Sequence, residues 1–167
     1  MAYNVPIVVQ RAQCPVVGIS LVTTVKAAAE QHTVKEAEAM LLKRSAEVLN
    51  RTGSARVLIQ IYPQDVMFND EVPYTHIVGF PVEALREIPK GMVGHIIPAG
   101  EYVRVTHSGP ESELPETYDY IYRQWLATSG YGSAGYDFEL WDDRYQPEQA
   151  DNEIELYVAL QTAPIAS

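Results

Sequence analysis

Tyr136-Asp137-Phe138-Glu139-Leu140-Trp141 is the stretch whose reading decides how this chain folds. Its residues alternate, so the segment is a β-strand that sends Tyr136, Phe138 and Leu140 to one face and Asp137, Glu139 and Trp141 to the other. An acid followed two residues on by an aromatic, both on the less apolar face, is an uncommon thing to build into a strand. Carboxylates are seldom buried without a partner. Glu139 therefore either faces water or lines a pocket where a cation can meet it.

Working outward from that strand, residues 142–151 are acidic and rich in turn formers. Residues 152–160 then alternate again, with Ile154, Leu156, Val158 and Leu160 opposite Glu153, Glu155, Tyr157 and Ala159. Upstream, residues 130–135 form a loop of small residues, preceded by a helix that starts near Pro115 and runs to about Thr128. Leu114, Tyr118, Ile121, Tyr122 and Trp125 give that helix one broad apolar and aromatic face. Strands are expected at 91–97 and 100–108; in the second, Tyr102, Arg104 and Thr106 share a face opposite Val103, Val105 and His107.

The first half has the same order. Strands are expected at 5–10 and 16–25, with Gly18 marking a bulge or a close backbone approach. Thr33-Val34-Lys35-Glu36 has the form of a capping box, predicting a helix from Thr33 to about Arg51 with Gly53 as the stop. Strands at 56–62 and 74–83 follow, separated by a polar loop, 64–73, long enough to rim a pocket. Strand-helix-strand-strand thus occurs twice, in pseudo-repeats of about 1–88 and 89–162 within a single domain, 1–167. The expected class is α+β, one antiparallel sheet with two helices on a face.

Totals exclude several functions. With 47 % hydrophobic residues among 167, the chain buries a core and is not disordered. Cys14 is the single cysteine, so there is no internal disulfide and no thiolate cluster for a metal. No apolar run of about 18 residues is present to span a membrane, and the first residues do not read as a signal peptide, so a cytoplasmic protein is expected. The formal charge is −10, with no basic stripe and no helix-turn-helix pattern, which argues against direct nucleic-acid binding. His32, His76, His95 and His107 lack metal-ligand spacing, and 130–135 lacks the lysine of a phosphate loop; no metal or cofactor is expected.

Several motifs in the second half resemble the gyrase-inhibitor-like (GyrI-like) effector-binding domain. They are Ile97-Pro98-Ala99-Gly100-Glu101-Tyr102, Gly109-Pro110, the run from Tyr118 to Leu126, Tyr136 to Trp141, Asp143-Arg144-Tyr145, and Ile154 to Val158. That domain is the ligand-sensing part of many AraC- and MerR-type transcription activators and also occurs alone. The resemblance implies a duplicated β-α-β-β fold forming one curved antiparallel sheet, with a hydrophobic ligand cleft between the repeats. It also implies aromatic walls and one buried acid for lipophilic cations, the acid falling on Glu139 and a matching last-strand tyrosine on Tyr157. Alternation is read as placing Glu139, Trp141 and Tyr157 on one type of face. The expected ligand-binding residues are Glu139, Trp141, Tyr157, Tyr102, Tyr118, Tyr122 and Trp125.

The function expected from this reading is a stand-alone binding protein for hydrophobic, cationic small molecules, a sensor or sequestrant. One alternative is a hydrolase of cyclopropane-containing genotoxins, with Glu139 as general base and Tyr157 assisting. Another is a protein-interaction role, with gyrase or a DNA-binding regulator as partner.

Overall fold

The computed structural model describes residues 3–161, so the ends of the expected domain, 1–2 and 162–167, lie outside the described residues. The described residues form two compact units, 13–98 and 3–12 with 99–161. Both are antiparallel sheet with helix, and the class is α+β as expected.

In the 13–98 unit the strands are β2 (Cys14–Thr23), β3 (Arg56–Ile61), β4 (Tyr74–Pro81) and β5 (Val93–Ile97), in the order β3-β4-β2-β5. In the other unit they are β1 (Ile7–Arg11), β6 (Gly100–Ser108), β7 (Ser133–Trp141) and β8 (Glu153–Leu160), in the order β1-β6-β8-β7. The two orders are equivalent, which is the duplication read from the sequence. The edge strands are exchanged, however. β1 opens the first sequence repeat yet pairs with β6, and β5 opens the second yet pairs with β2.

The first helical region starts earlier and ends sooner than the sequence predicts. Helix α1 (Val25–Gln31) begins directly after β2, and its cap is Thr24, whose side chain accepts from the Ala27 amide at 3.0 Å. His32, at φ 55°, breaks the chain before α2 (Thr33–Lys43). Thr33 does not act as a cap; its hydroxyl pairs instead with that of Thr23, 2.7 Å away. Ala37 and Leu41 of α2 are buried, but the helix ends at Lys43 rather than Arg51 and a single 3-10 turn (Ser45–Glu47) follows. Val48 then reaches the core from extended backbone, while Leu49 is exposed.

The second helical region follows its reading closely. It comprises α3 (Leu114–Asp119), a π-helical segment (Tyr120–Trp125) and α4 (Leu126–Ser129), stopped at Gly130 with φ 83°. Pro115 lies in its first turn, where a missing amide is harmless. Its Ile121 is fully buried against Val103, Val105, Leu156 and Val158, with Tyr118, Tyr122 and Trp125 packed around them. No helix among the described residues is long and apolar enough to cross a membrane.

Gly18 marks a close backbone approach. It pairs with Gly79 across β2 and β4, and a Cβ on Gly18 would lie 2.0 Å from the carbonyl oxygen of Val78. Because the obstacle is backbone, no side-chain rotation relieves it. Gly18→Ala is expected to destabilise the fold by about 1–3 kcal/mol, seen as a lower urea midpoint with an unchanged m-value.

Candidate functional site

The site is built on β7 and the helix laid over it. Asp137, Glu139 and Trp141 are 0 %, 5 % and 2 % exposed, so this face of the strand is buried. Glu139 pairs in register with Leu156, which belongs to the core packed under Ile121. Of the two readings open for this carboxylate, the one that has it facing water does not hold.

Each acid is met by a helical tyrosine. The Tyr118 hydroxyl donates to Glu139 Oε2 in a very short hydrogen bond, and the indole Nε1 of Trp141 donates to Glu139 Oε1 at 2.9 Å. Tyr122 donates to Asp137 Oδ2 at 2.6 Å. Four residues on a helix advance about 6 Å and two residues on a strand about 6.6 Å, so tyrosines at i and i+4 match carboxylates at i and i+2. Trp141 is held from behind by Tyr145, stacked at 4.0 Å, and the Tyr145 hydroxyl donates to Glu111.

The electrostatics follow from this enclosure. Burial raises the Glu139 pKa to about 7; the bonds from Tyr118 and Trp141 pull it down, and the charges of Asp137 and Glu111 push it up again. Burial and the neighbouring Asp137 likewise raise Tyr122 well above its ordinary value. Among the described residues no Lys, Arg or His lies within ion-pair distance of Glu139. A desolvated carboxylate with aromatic neighbours and no resident counter-ion is equipped to attract a cation.

The duplicated unit provides an internal comparison. Equating β6 with β2 from their first residues, Gly100 and Cys14, aligns Leu156 with Val78 and therefore Glu139 with Leu58. Asp137 and Trp141 then align with Arg56 and Gln60. At Arg56 the strand carries the positive charge, and Glu38 of the overlying helix approaches it to 3.9 Å. The acids of β7 meet Tyr118 and Tyr122 from their helix. The fold therefore does not require carboxylates at these positions.

The remaining expected residues divide between the two faces of the sheet. Tyr118, Tyr122 and Trp141 join Glu139, and Trp125 packs on the same helix face, stacked with Tyr131 at 6.0 Å. Tyr157 does not join them. It pairs in register with Phe138, so it leaves the opposite face from Glu139. The strands alternate as read, but the register that aligns their faces was not available from one strand at a time. Tyr102 accompanies Tyr157: it is fully buried, exchanges a hydrogen bond with Tyr136 at 3.0 Å and meets the Tyr157 ring edge-on. Asp137 and Tyr145 were not singled out, although the spacing Asp-x-Glu against Tyr-x-x-x-Tyr carries the signal for Asp137.

The chain belongs to the GyrI-like small molecule binding domain family, whose model matches residues 6–161. It is 33 % identical over 89 residues to the transcriptional regulator BrlR of Pseudomonas aeruginosa, a match covering 52 % of this chain and 33 % of that regulator. In structure it is similar to the EcmrR C-terminal domain, with TM-score 0.75 and 16 % identity over 96 % of this chain and 99 % of the other. It is also similar to SAV2435 bound to tetraphenylphosphonium, with TM-score 0.70 and 14 % identity over 96 % and 94 % of the two chains. At these identities the structural likeness shows the fold alone.

The raised Glu139 pKa links stability to pH. Folded Glu139 keeps its proton to about pH 7 against an ordinary value of 4.5, so the native state binds the extra proton between those limits. Stability is then greatest below the ordinary value and falls by roughly 3 kcal/mol as pH rises to 7. Buried His76 acts in the opposite sense: its pKa is lowered from 6.5 to about 4, so its contribution is present above 6.5 and lost as pH falls to 4. The two act in opposite senses over overlapping pH ranges, and the variant separates them. The stability difference between Glu139→Gln and wild type is expected to grow in favour of Gln from pH 4.5 to 7 and to be flat outside that window. A difference independent of pH, followed by thermal unfolding, contradicts the assignment.

Proposed function

We propose that this domain binds lipophilic monocations, with Glu139 as the counter-ion and Tyr118, Tyr122, Trp125 and Trp141 as aromatic surroundings, and that it acts as a sensor or sequestrant of such compounds. The observation that carries the reading is a carboxylate 5 % exposed, hydrogen-bonded to two aromatic side chains, with no cationic partner among the described residues. Family membership supports a small-molecule ligand, and the tetraphenylphosphonium bound by SAV2435 supports its class.

The chemistry is an exchange of partners. Without ligand, the buried acid carries a proton over much of the range up to pH 7 and its oxygens are engaged by Tyr118 and Trp141. A cation stabilises the ionised form, so binding below pH 7 expels that proton. Aromatic faces add roughly 0.5–2 kcal/mol each where they meet the charge. A neutral ligand of the same shape gains the apolar contacts but neither the charge attraction nor the proton linkage. The hydrolytic alternative built on Glu139 with Tyr157 is not taken up, because the two side chains leave opposite faces of the sheet.

Calorimetric titration with tetraphenylphosphonium and with neutral triphenylphosphine oxide tests the proposal. Wild type is expected to prefer the cation by about 2 kcal/mol, and Glu139→Gln to lose that preference. Cation affinity is expected to weaken by up to about tenfold for each pH unit below 7, with proton release visible as a heat that depends on the buffer. Equal affinity for both ligands in both proteins overturns it.

A further inference from the structure

A groove of about 330 Å³ runs along β6 on the sheet face opposite Glu139, between β1 and the start of β8. Arg104, Thr106 and Ser108 alternate onto that face and form its floor. Ile7 of β1 stands opposite Arg104 in register, and Glu153 of β8 stands opposite Ser108. The depression arises because Thr106 and Ser108 are short side chains on a strand flanked by longer ones. It lies wholly within the unit of residues 3–12 and 99–161, and its lining contains no aromatic side chain. A lipophilic cation finds no ring wall here.

The polar groups are graded along the groove. Arg104 supplies a positive charge at one end. The chain has 22 acids, yet among the described residues none lies within ion-pair distance of Arg104. Its guanidinium lies beside the Tyr157 hydroxyl, which donates to Glu155 at 3.0 Å, so it is oriented without being neutralised. Asn4 braces the other end, where its Nδ2 donates to the Thr106 carbonyl oxygen at 2.6 Å and to Ser108 Oγ at 2.9 Å. With that Oγ acting as acceptor, the Ser108 hydroxyl hydrogen is left to donate elsewhere, and Asn4 Oδ1 remains an acceptor. Glu153 accepts from Arg144 with Oε2 at 3.3 Å, leaving Oε1 for a further donor. Cation, hydroxyls and carboxylate thus follow one another at the strand repeat of roughly 6.6 Å per two residues.

We propose that this groove binds a sugar acid, a hydroxylated monocarboxylate whose carboxylate pairs with Arg104 and whose hydroxyls meet Thr106, Ser108 and Glu153. A guanidinium fork matches a carboxylate with two parallel hydrogen bonds. Ile7 offers an apolar contact to the ligand's C–H groups. The volume equals that of about ten water molecules at roughly 30 Å³ each, several times what a simple inorganic anion fills. Glu153 disfavours a second negative charge at the far end but accepts from a hydroxyl there, which selects a monoanion over a dianion. The site shares neither its sheet face nor the sign of its ligand with Glu139.

Amide NMR titration with gluconate tests it, with sorbitol as the uncharged polyol and acetate as the charge without hydroxyls. In wild type, gluconate is expected to shift the amides of residues 104–108 and 153 and to bind at least about tenfold more tightly than either control. Arg104→Met, which keeps the apolar stem, is expected to reduce gluconate to the affinity of sorbitol. Thr106→Val keeps the side-chain shape and is expected to weaken gluconate but not acetate; it serves if the methionine variant does not fold. Glu139→Gln should leave gluconate binding unchanged. Sorbitol or acetate binding as tightly as gluconate, an unchanged gluconate affinity in the Arg104 and Thr106 variants, or no shift of these amides at about 20 mM gluconate overturns the proposal.

Discussion

The hydrogen bonds that Tyr118 and Trp141 donate to Glu139 are what the rest of the site depends on. A carboxylate withdrawn from water is tolerated only if its oxygens are engaged or its charge is removed, and here both routes operate. Two donors occupy the two oxygens, and burial raises the pKa until the proton is retained to about pH 7. Tyrosine and tryptophan are suited to this because each offers a polar atom at the edge of an apolar ring. They engage its oxygens without supplying an opposite charge.

The duplicated architecture shows how the same scaffold can close or leave open such a position. Where β3 carries Arg56, a helical glutamate stands near it. Where β7 carries Asp137 and Glu139, the helix supplies Tyr122 and Tyr118. The second arrangement concentrates two like charges under one helix, which helps to raise the Glu139 pKa. On the other sheet face aromatic rings hold a guanidinium from the same chain.

Much of this was legible in the sequence. Period-two alternation identified the face of β7 that bears Glu139, and the aromatic stripe identified the helix above it. The α+β class followed from the repeated element order. Three features were hidden for physical reasons. Which strand faces coincide depends on interstrand register, a long-range property, and Tyr157 was therefore grouped with Glu139 although it pairs with Phe138. The Thr33 capping box was a local signal overridden when Thr24, nine residues upstream, capped a helix of its own and His32 took a left-handed conformation. The exchange of β1 and β5 between repeats left no local trace, because an edge strand has the same pattern whichever neighbour it joins.

The central proposal is that Glu139 is a buried acid that gives up a proton when a cation binds. Carbon-13 NMR of the glutamate carboxyl carbons, titrated with and without saturating tetraphenylphosphonium and assigned with Glu139→Gln, tests it most directly. The account predicts one carboxyl titrating near pH 7 in the free protein and moving at least two units lower when the cation is bound. A Glu139 carboxyl that titrates near 4.5 in both states would contradict it.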